Sequence, residues 1–175
     1  MTGNNILLTN FELCDKIKAH KEGLQHFAFS LFLFNKKWEL LMQKRARHKY
    51  HSGGLWSNSC CSHFKNIAEL NSQEATVKKR IVEELGNFVV KNIQDLHFVK
   101  EIEYNLRVGD LVENEHNFIY AGSVQCNTDD LNFNKAEVED VAFASLDCVK
   151  LDLKHQSEKY TKWFKFILEN LAFNK

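Results

Sequence analysis

The sequence has no proline, and only seven glycines and two methionines among its 175 residues. The missing proline accompanies a wealth of Asn, Lys and Phe and reads as compositional drift, without structural consequence. Charge of one sign is also missing: 23 Lys and Arg balance 23 Asp and Glu. No global field draws the chain to nucleic acid or an anionic membrane, so any basic site is local. No stretch approaches the roughly 18 apolar residues of a membrane span. The opening MTGNNILLTNFELCDK has neither the basic n-region nor the apolar h-region of a secretory signal. These absences lead to the expectation of a cytoplasmic protein with no nucleic-acid or membrane partner. Cysteines are few and odd in number, at 14, 60, 61, 126 and 148. That scatter suits a reducing compartment and not a disulfide framework. A bond between the neighbours Cys60 and Cys61 would be strained, and the spacing of a structural zinc site is missing.

What is present is ordinary for a soluble globular chain: 44% apolar and 26% charged residues. The length suits one domain, residues 1–175, with a substantial core. HFAFSLFLFN (26–35) predicts a buried strand, NKK a turn, and WELLMQKR (38–45) the returning strand of a hairpin. ARHKYHSGGLWSNSCCSHF predicts a loop that turns extended, hinged at Gly53–Gly54. NSQEATVKKRIVEELG (71–86) predicts a helix with Asn71 as N-cap, Glu74 as its capping-box partner and Gly86 as its stop. Val77, Ile81 and Leu85 form its apolar face. Glu84 falls about 20° from Val77, at the edge of that face, and Glu83 points to solvent. LHFVKEIEYNL (96–106) and ENEHNFIYAGSV (113–124) predict strands around the turn RVGD, and EVEDVAFASL (137–146) another. The tail, Ser157 to Phe173, carries a helical stripe of Tyr160, Trp163, Phe164, Ile167, Leu168 and Leu171. Mixed strands with two strong helices give an α+β layered domain.

Three segments could meet as a metal site. His20 and His26 precede and begin the first long strand. Cys61 and His63 alternate in an extended segment and face one way, as do Glu113 and Glu115. Three imidazoles and two carboxylates suit an octahedral Mn²⁺, Mg²⁺ or Fe²⁺ better than tetrahedral zinc. Taken singly, each has a plainer reading: a histidine at a strand start as a polar rim residue, Glu-Asn-Glu as a solvated strand face, Cys60 as a small buried hydrophobe. A second cluster, Lys44, Arg45, Arg47, His48 and Lys49, is basic. Lys44 and Arg47 read as a solvated strand end. A diphosphate would want the fork of an arginine and the point charge of a lysine.

HSGGLWSNSCCSH, KRIVEELG and LVENE, in this order, make the sequence resemble type I isopentenyl diphosphate isomerases of the Nudix superfamily, from about His20 to the last helix. The resemblance implies a Nudix-like α/β/α layered sandwich with a mixed sheet. It also implies conversion of isopentenyl to dimethylallyl diphosphate by protonation and deprotonation. By the same resemblance Cys61 is the catalytic cysteine, and His20, His26, His63, Glu113 and Glu115 bind a divalent ion such as Mn²⁺. Glu115 doubles as acid/base, assisted by Tyr104. Glu84 binds Mg²⁺ together with the substrate diphosphate, which Lys16, Arg45 and Lys49 hold. The implied partner is a small isoprenyl diphosphate, and the chain is a monomer or a weak dimer. Trp56 and the Phe-rich strands would line a dry pocket closed by Tyr160 or Trp163. Departures are informative. Lys79 and Arg80 stand where Nudix hydrolases have Arg and Glu, and Asn71 replaces their first Glu, which disfavours pyrophosphohydrolysis. Phe64 and Lys162 replace two family prolines. The competing readings are a Nudix pyrophosphohydrolase of a nucleotide-type diphosphate and a catalytically silent binding domain.

Overall fold

The computed structural model describes residues 4–173. The chain begins with a short antiparallel ribbon of β1 (Asn5–Leu7) and β2 (Leu13–Asp15). It feeds directly into helix α1 (Lys16–Glu22). Asp15 caps this helix by accepting a 3.0 Å hydrogen bond from Lys18 N, and Gly23 ends it in the left-handed region at φ 64°. The sequence reading missed ribbon and helix, because KIKAHKE is too short for a periodic stripe. Their consequence is large, since α1 is what carries His20 into the interior.

The expected hairpin of β3 (His26–Phe34) and β4 (Glu39–Arg45) exists only at its tip, where Phe34 pairs with Leu40. Below that pair the strands splay. The gap is filled by β5 (Trp56–Ser57), which pairs with β4, and β6 (Cys60–His63), which pairs with β3. Ser57, Asn58 and Ser59 lie fully buried in the fork. Buried polar groups need partners, and here they replace the missing ladder. Ser59 Oγ accepts from Leu33 N at 2.8 Å and donates to Leu41 O at 2.6 Å. Asn58 Nδ2 donates to Leu31 O at 3.2 Å and to Cys60 O at 2.8 Å.

Helix α2 (Ile67–Asn71) is followed by α3 (Gln73–Leu85) and α4 (Asn87–Lys91). Asn71 is therefore the last residue of α2 and not the cap of α3; Ser72 occupies that position without a side-chain bond. The apolar face of α3 is as expected, with Val77, Ile81 and Leu85 fully buried. Strands β7 (Ile93–Val108) and β8 (Leu111–Val124) form a long antiparallel pair around Gly109. β8 runs parallel to β3, so the sheet is mixed. β9 (Val138–Ser145) pairs along β4 and leads into α5 (Leu146–His155), a helix absent from the reading of the sequence. Ser145 caps it, and Leu146, Val149 and Leu153 are its buried face. The final helix, α6, spans Lys162–Asn170 and not the whole tail, because Tyr160 forms a bridge with Trp56 before it.

Alternate side chains of β3 feed two cores. Phe27, Phe29, Leu31 and Leu33 join the face of α3, whereas Phe32 and Phe34 pack with Trp163, Phe164, Ile167 and Leu168 of α6 and with α5. Helices therefore cover both faces, as the α/β/α expectation required. That explains why β3 is buried along its whole length instead of alternating. Burying such side chains contributes ~1.5–3 kcal/mol each before entropy. No helix among the described residues is long and apolar enough to cross a membrane.

Candidate active site and metal centre

One cleft gathers residues from α1, β3, β4 and the loop after it, β6, α3, β7, β8 and α6: Lys16, Phe29, Arg45, Lys49, Tyr50, His51, Cys61, Ser62, His63, Arg80, Glu84, Tyr104, Glu113, Glu115 and Trp163. Three scaffolding choices place them. Register pairs His26 with Glu115 across β3–β8, and Ala28 with His63 across β3–β6. Asn114 Nδ2 donates to Gly23 O at 2.9 Å, docking the end of α1 on β8. The loop after β4 folds back on itself, and a Cβ at Gly53 would lie 2.2 Å from Arg47 O. Only glycine permits that approach, which turns Lys49, Tyr50 and His51 into the cleft.

At one end, candidate ligand atoms of His20, His26, His63 and Glu113 all lie within 4.8 Å of one another. His20 Nδ1 donates to Lys16 O at 2.6 Å and His26 Nδ1 to Leu24 O at 2.8 Å. Both rings therefore aim Nε2 inward, the arrangement of metal-binding histidines. His20 Nε2 meets Glu113 Oε2 at 3.2 Å, and His63 Nε2 meets Glu115 Oε1 at 3.1 Å. His26 Nε2 is buried, 3.9 Å from Glu115 Oε1, with no hydrogen-bond partner. Acceptors thus face acceptors around a buried point, and a cation resolves the conflict. Burial opposes charging of His20, but the hydrogen bond and charge of Glu113 hold its pKa above the usual value. Burial, with His63 alongside, pushes His26 down to about 3. Glu113 is held low despite burial by the neighbouring imidazoles of His20, His51 and His63. The donor set fits a divalent ion.

Glu115 has a second set of partners. Tyr104 OH donates to its Oε2 at 2.5 Å, and Asn117 Nδ2 donates to the same oxygen at 2.7 Å and to Tyr104 OH at 3.0 Å. Burial above all, with the charge of Glu113, raises Glu115. Cys61 projects into the cleft while Cys60 points away into the α3 core, bonding Glu84 Oε2 at 3.3 Å. Burial pushes the Cys61 thiol up to about 12, with Arg45 opposing, so it stays protonated at neutral pH.

The other end is basic. Lys16 stacks 4.3 Å over Tyr50, and Arg45 lies 5.1 Å from the Trp163 ring. Burial, then Lys49, brings Lys16 down to about 8. Glu84 lines the cleft but is fully engaged: its Oε1 meets Arg80 Nη2 at 2.6 Å, and Gln43 Nε2 donates to Oε2 at 2.9 Å. Glu83 does not simply face solvent, as its helix angle suggests. It is half-buried and bonds Arg80 at 3.0 Å. Lys44 and Arg47 pair with Glu139 outside the cleft.

All the candidate site residues except His20 and His26 line this cleft, and those two join through the metal cluster. Of the two pocket-closing aromatics, Trp163 lines it, whereas Tyr160 turns away and donates to Asp152. Trp56 is also outside the lining; Tyr50, Phe29 and Tyr104 are the other aromatics there. The reading from sequence missed His51, Tyr50, Arg80 and Asn117 as site residues. His51 Nε2 lies 2.5 Å from Glu113 Oε1, though without hydrogen-bond alignment, and its ring abuts Trp163 edge-on. A lone histidine beside a Gly-Gly hinge carries no spacing signal; only the loop's reversal shows it.

A NUDIX domain family model matches residues 24–164. The chain is 33% identical over 159 residues to isopentenyl-diphosphate Delta-isomerase 2 of Photorhabdus laumondii, spanning 90% of this chain and 84% of that protein. It is 34% identical over 160 residues to the isopentenyl-diphosphate Delta-isomerase of Serratia proteamaculans, spanning 91% and 83%. Among solved structures, DR0079 from Deinococcus radiodurans matches with a TM-score of 0.72 over 97% of this chain and 99% of that one; the identity is 11%, so the likeness is one of fold. With a family model over most of its length and relatives of this kind, the chain belongs to the isopentenyl-diphosphate Delta-isomerase family of NUDIX-domain proteins.

Proposed function

We propose that this cleft converts isopentenyl diphosphate to dimethylallyl diphosphate, the reaction for which the family is named, with Cys61 and Glu115 as the proton-transfer groups. The observation that supports it best is that a protonated thiol and a tyrosine-bonded carboxyl share one aromatic-lined cleft, between a metal-type cluster and a group of cations. An unactivated alkene is a poor base, and its protonation leaves a tertiary carbocation. One group gives a proton to the terminal carbon and the other removes one from C2, so the pair ends with protonation states exchanged. Trp163, Tyr50 and Tyr104 present ring faces or edges to the cavity, and such rings favour a cation that water would trap.

His20, His26, His63, Glu113 and Glu115 are the residues that would hold a divalent ion, Mn²⁺ among the candidates. Bound there, the ion supplies the charge that orders and polarises the Glu115 carboxyl. Lys16, Arg45 and Lys49 would bind the diphosphate, and Glu84, once released by Arg80, would hold a Mg²⁺ that arrives with it, since Mg²⁺ commonly takes one carboxylate plus substrate phosphate. Against pyrophosphohydrolysis stands Arg80, which occupies a carboxylate position of the hydrolases and ties up Glu83 and Glu84. Incubation with isopentenyl diphosphate and Mg²⁺ tests the reading: the expected product is the acid-labile allylic isomer without free phosphate. Phosphate release without isomer would replace it with hydrolysis.

A further inference from the structure

Glu137 stands between two cations that reach the cleft from different elements. Its backbone is fixed on both sides: its N–H donates to Asn134 O at 2.9 Å, and its carbonyl accepts from Ala46 N at 3.0 Å. Its side-chain Oε2 then takes both Lys49 Nζ, from the loop after β4, and Arg80 Nη2 at 2.7 Å, from α3. Lys49 has no other charged partner among the described residues. Arg80 has two more, Glu83 at 3.0 Å and Glu84 at 2.6 Å. Both cations line the cleft with Lys16 and Arg45, while Glu137 is not part of its lining.

Resting on the reading above, we propose that Glu137 is a positioning residue that holds Lys49 and Arg80 at the cleft wall for the diphosphate. The physical case has two parts. Four cations around one cavity repel one another, and a flexible lysine on a loop will swing to solvent unless something fixes it. Glu137 supplies that anchor from outside the cavity, so it orders the cations without filling the space a phosphate needs. It also divides Arg80 between two sides. Without Glu137 the guanidinium falls wholly on Glu83 and Glu84, and its charge then competes with Mg²⁺ for Glu84.

The test compares Glu137→Gln, Glu137→Asp and Glu139→Gln. Glu139 has the same charge two residues along the chain but serves Lys44 and Arg47, outside the cleft. Kinetics with isopentenyl diphosphate and direct titration with inorganic diphosphate plus Mg²⁺ are both measured. Glu137→Gln should raise KM and the diphosphate Kd by about 10-fold while kcat changes less than about 3-fold, the loss expected of misplaced charge-assisted bonds. Glu137→Asp, able to reach one cation but not both, should fall between. Glu139→Gln should match the wild type. A lowered Tm with unchanged KM and Kd, or tighter diphosphate binding, would overturn the proposal. A wild type that binds Mg²⁺-diphosphate but makes no isomer, with binding still weakened in Glu137→Gln, would sink the functional reading and leave this one standing.

Discussion

The two ends of the cleft solve opposite electrostatic problems. At the histidine end, lone pairs converge without enough protons to go round: His26 Nε2 is buried and unpartnered, and carboxylates face Nε2 atoms. At the basic end the charges of Arg80 and Lys49 are already met by Glu83, Glu84 and Glu137. The first end is therefore strained toward taking up a cation. In the second, Arg80 and Lys49 are neutralised and must exchange partners to accept an anion. Rigid preorganisation suits a resident ion, and exchangeable ion pairs suit a ligand that arrives and leaves with each turnover.

In the proposed reaction the proton moves through Cys61 and Glu115, so the largest loss should come from these groups. Cys61→Ala should lower kcat by about 10²–10⁴-fold, the usual worth of a positioned acid/base. Metal content and diphosphate affinity should hardly change. Cys60→Ala should keep most activity, because that thiol faces the α3 core; equal losses in both variants would assign the chemistry to the wrong cysteine.

The next largest effect separates the ends. Glu113→Gln or His26→Ala should weaken divalent-metal affinity roughly 10–100-fold or more, while the Kd for inorganic diphosphate plus Mg²⁺ stays within about 2-fold. His51→Ala should give a smaller loss of the same kind, since it touches only the outer oxygen of Glu113. Metal titration followed by calorimetry reads both. Parallel loss of metal and diphosphate affinity would mean that the two ends are one coupled site.

How far these ends were legible in the sequence differs for a physical reason. Strands report their faces by alternation, so Cys61 with His63 and Glu113 with Glu115 could be paired on paper, and the α3 stripe located Glu84. The ribbon and α1 are too short to set a period, so the helix that delivers His20 stayed hidden, whereas α5 does carry a stripe, Leu146, Val149 and Leu153, that the reading passed over. The splayed β3–β4 hairpin depends on Asn58 and Ser59 acting as buried ladder substitutes, which no propensity records. His51, Arg80 and Glu137 are brought in by loop reversal and ion-pair geometry, both tertiary. Asn71 was misread as a cap because α2 occupies the preceding turn.

Within the basic end, Glu84 and Glu83 should differ. Both bond Arg80, but Glu84 lines the cleft and Glu83 does not. Glu84→Gln should raise KM and the Mg²⁺-diphosphate Kd by about 10-fold and leave the histidine-end metal bound. Glu83→Gln should cost at most about 3-fold, acting only through Arg80. Loss of the first metal in Glu84→Gln would break the division between ends.

The smallest effect probes the neutralised state itself. Burial works to raise the carboxyl of Glu137, but its bond to Lys49 and the charge of Arg80 outweigh it and hold the pKa below the ordinary value. A carboxylate depressed in the folded state stabilises it fully above the unfolded pKa of about 4.3, and that contribution disappears as pH falls through the folded value. The group is partly exposed, and after solvent screening its worth is about 0.5–1 kcal/mol. The Tm gap between wild type and Glu137→Gln should be about 1–3 °C at pH 7. It should close between about pH 5 and 3. Added salt should narrow it at pH 7, because the pairs are accessible to counterions. A gap that persists unchanged at pH 3 would make Glu137 a packing residue, and the basic end would then owe its order to shape instead of charge.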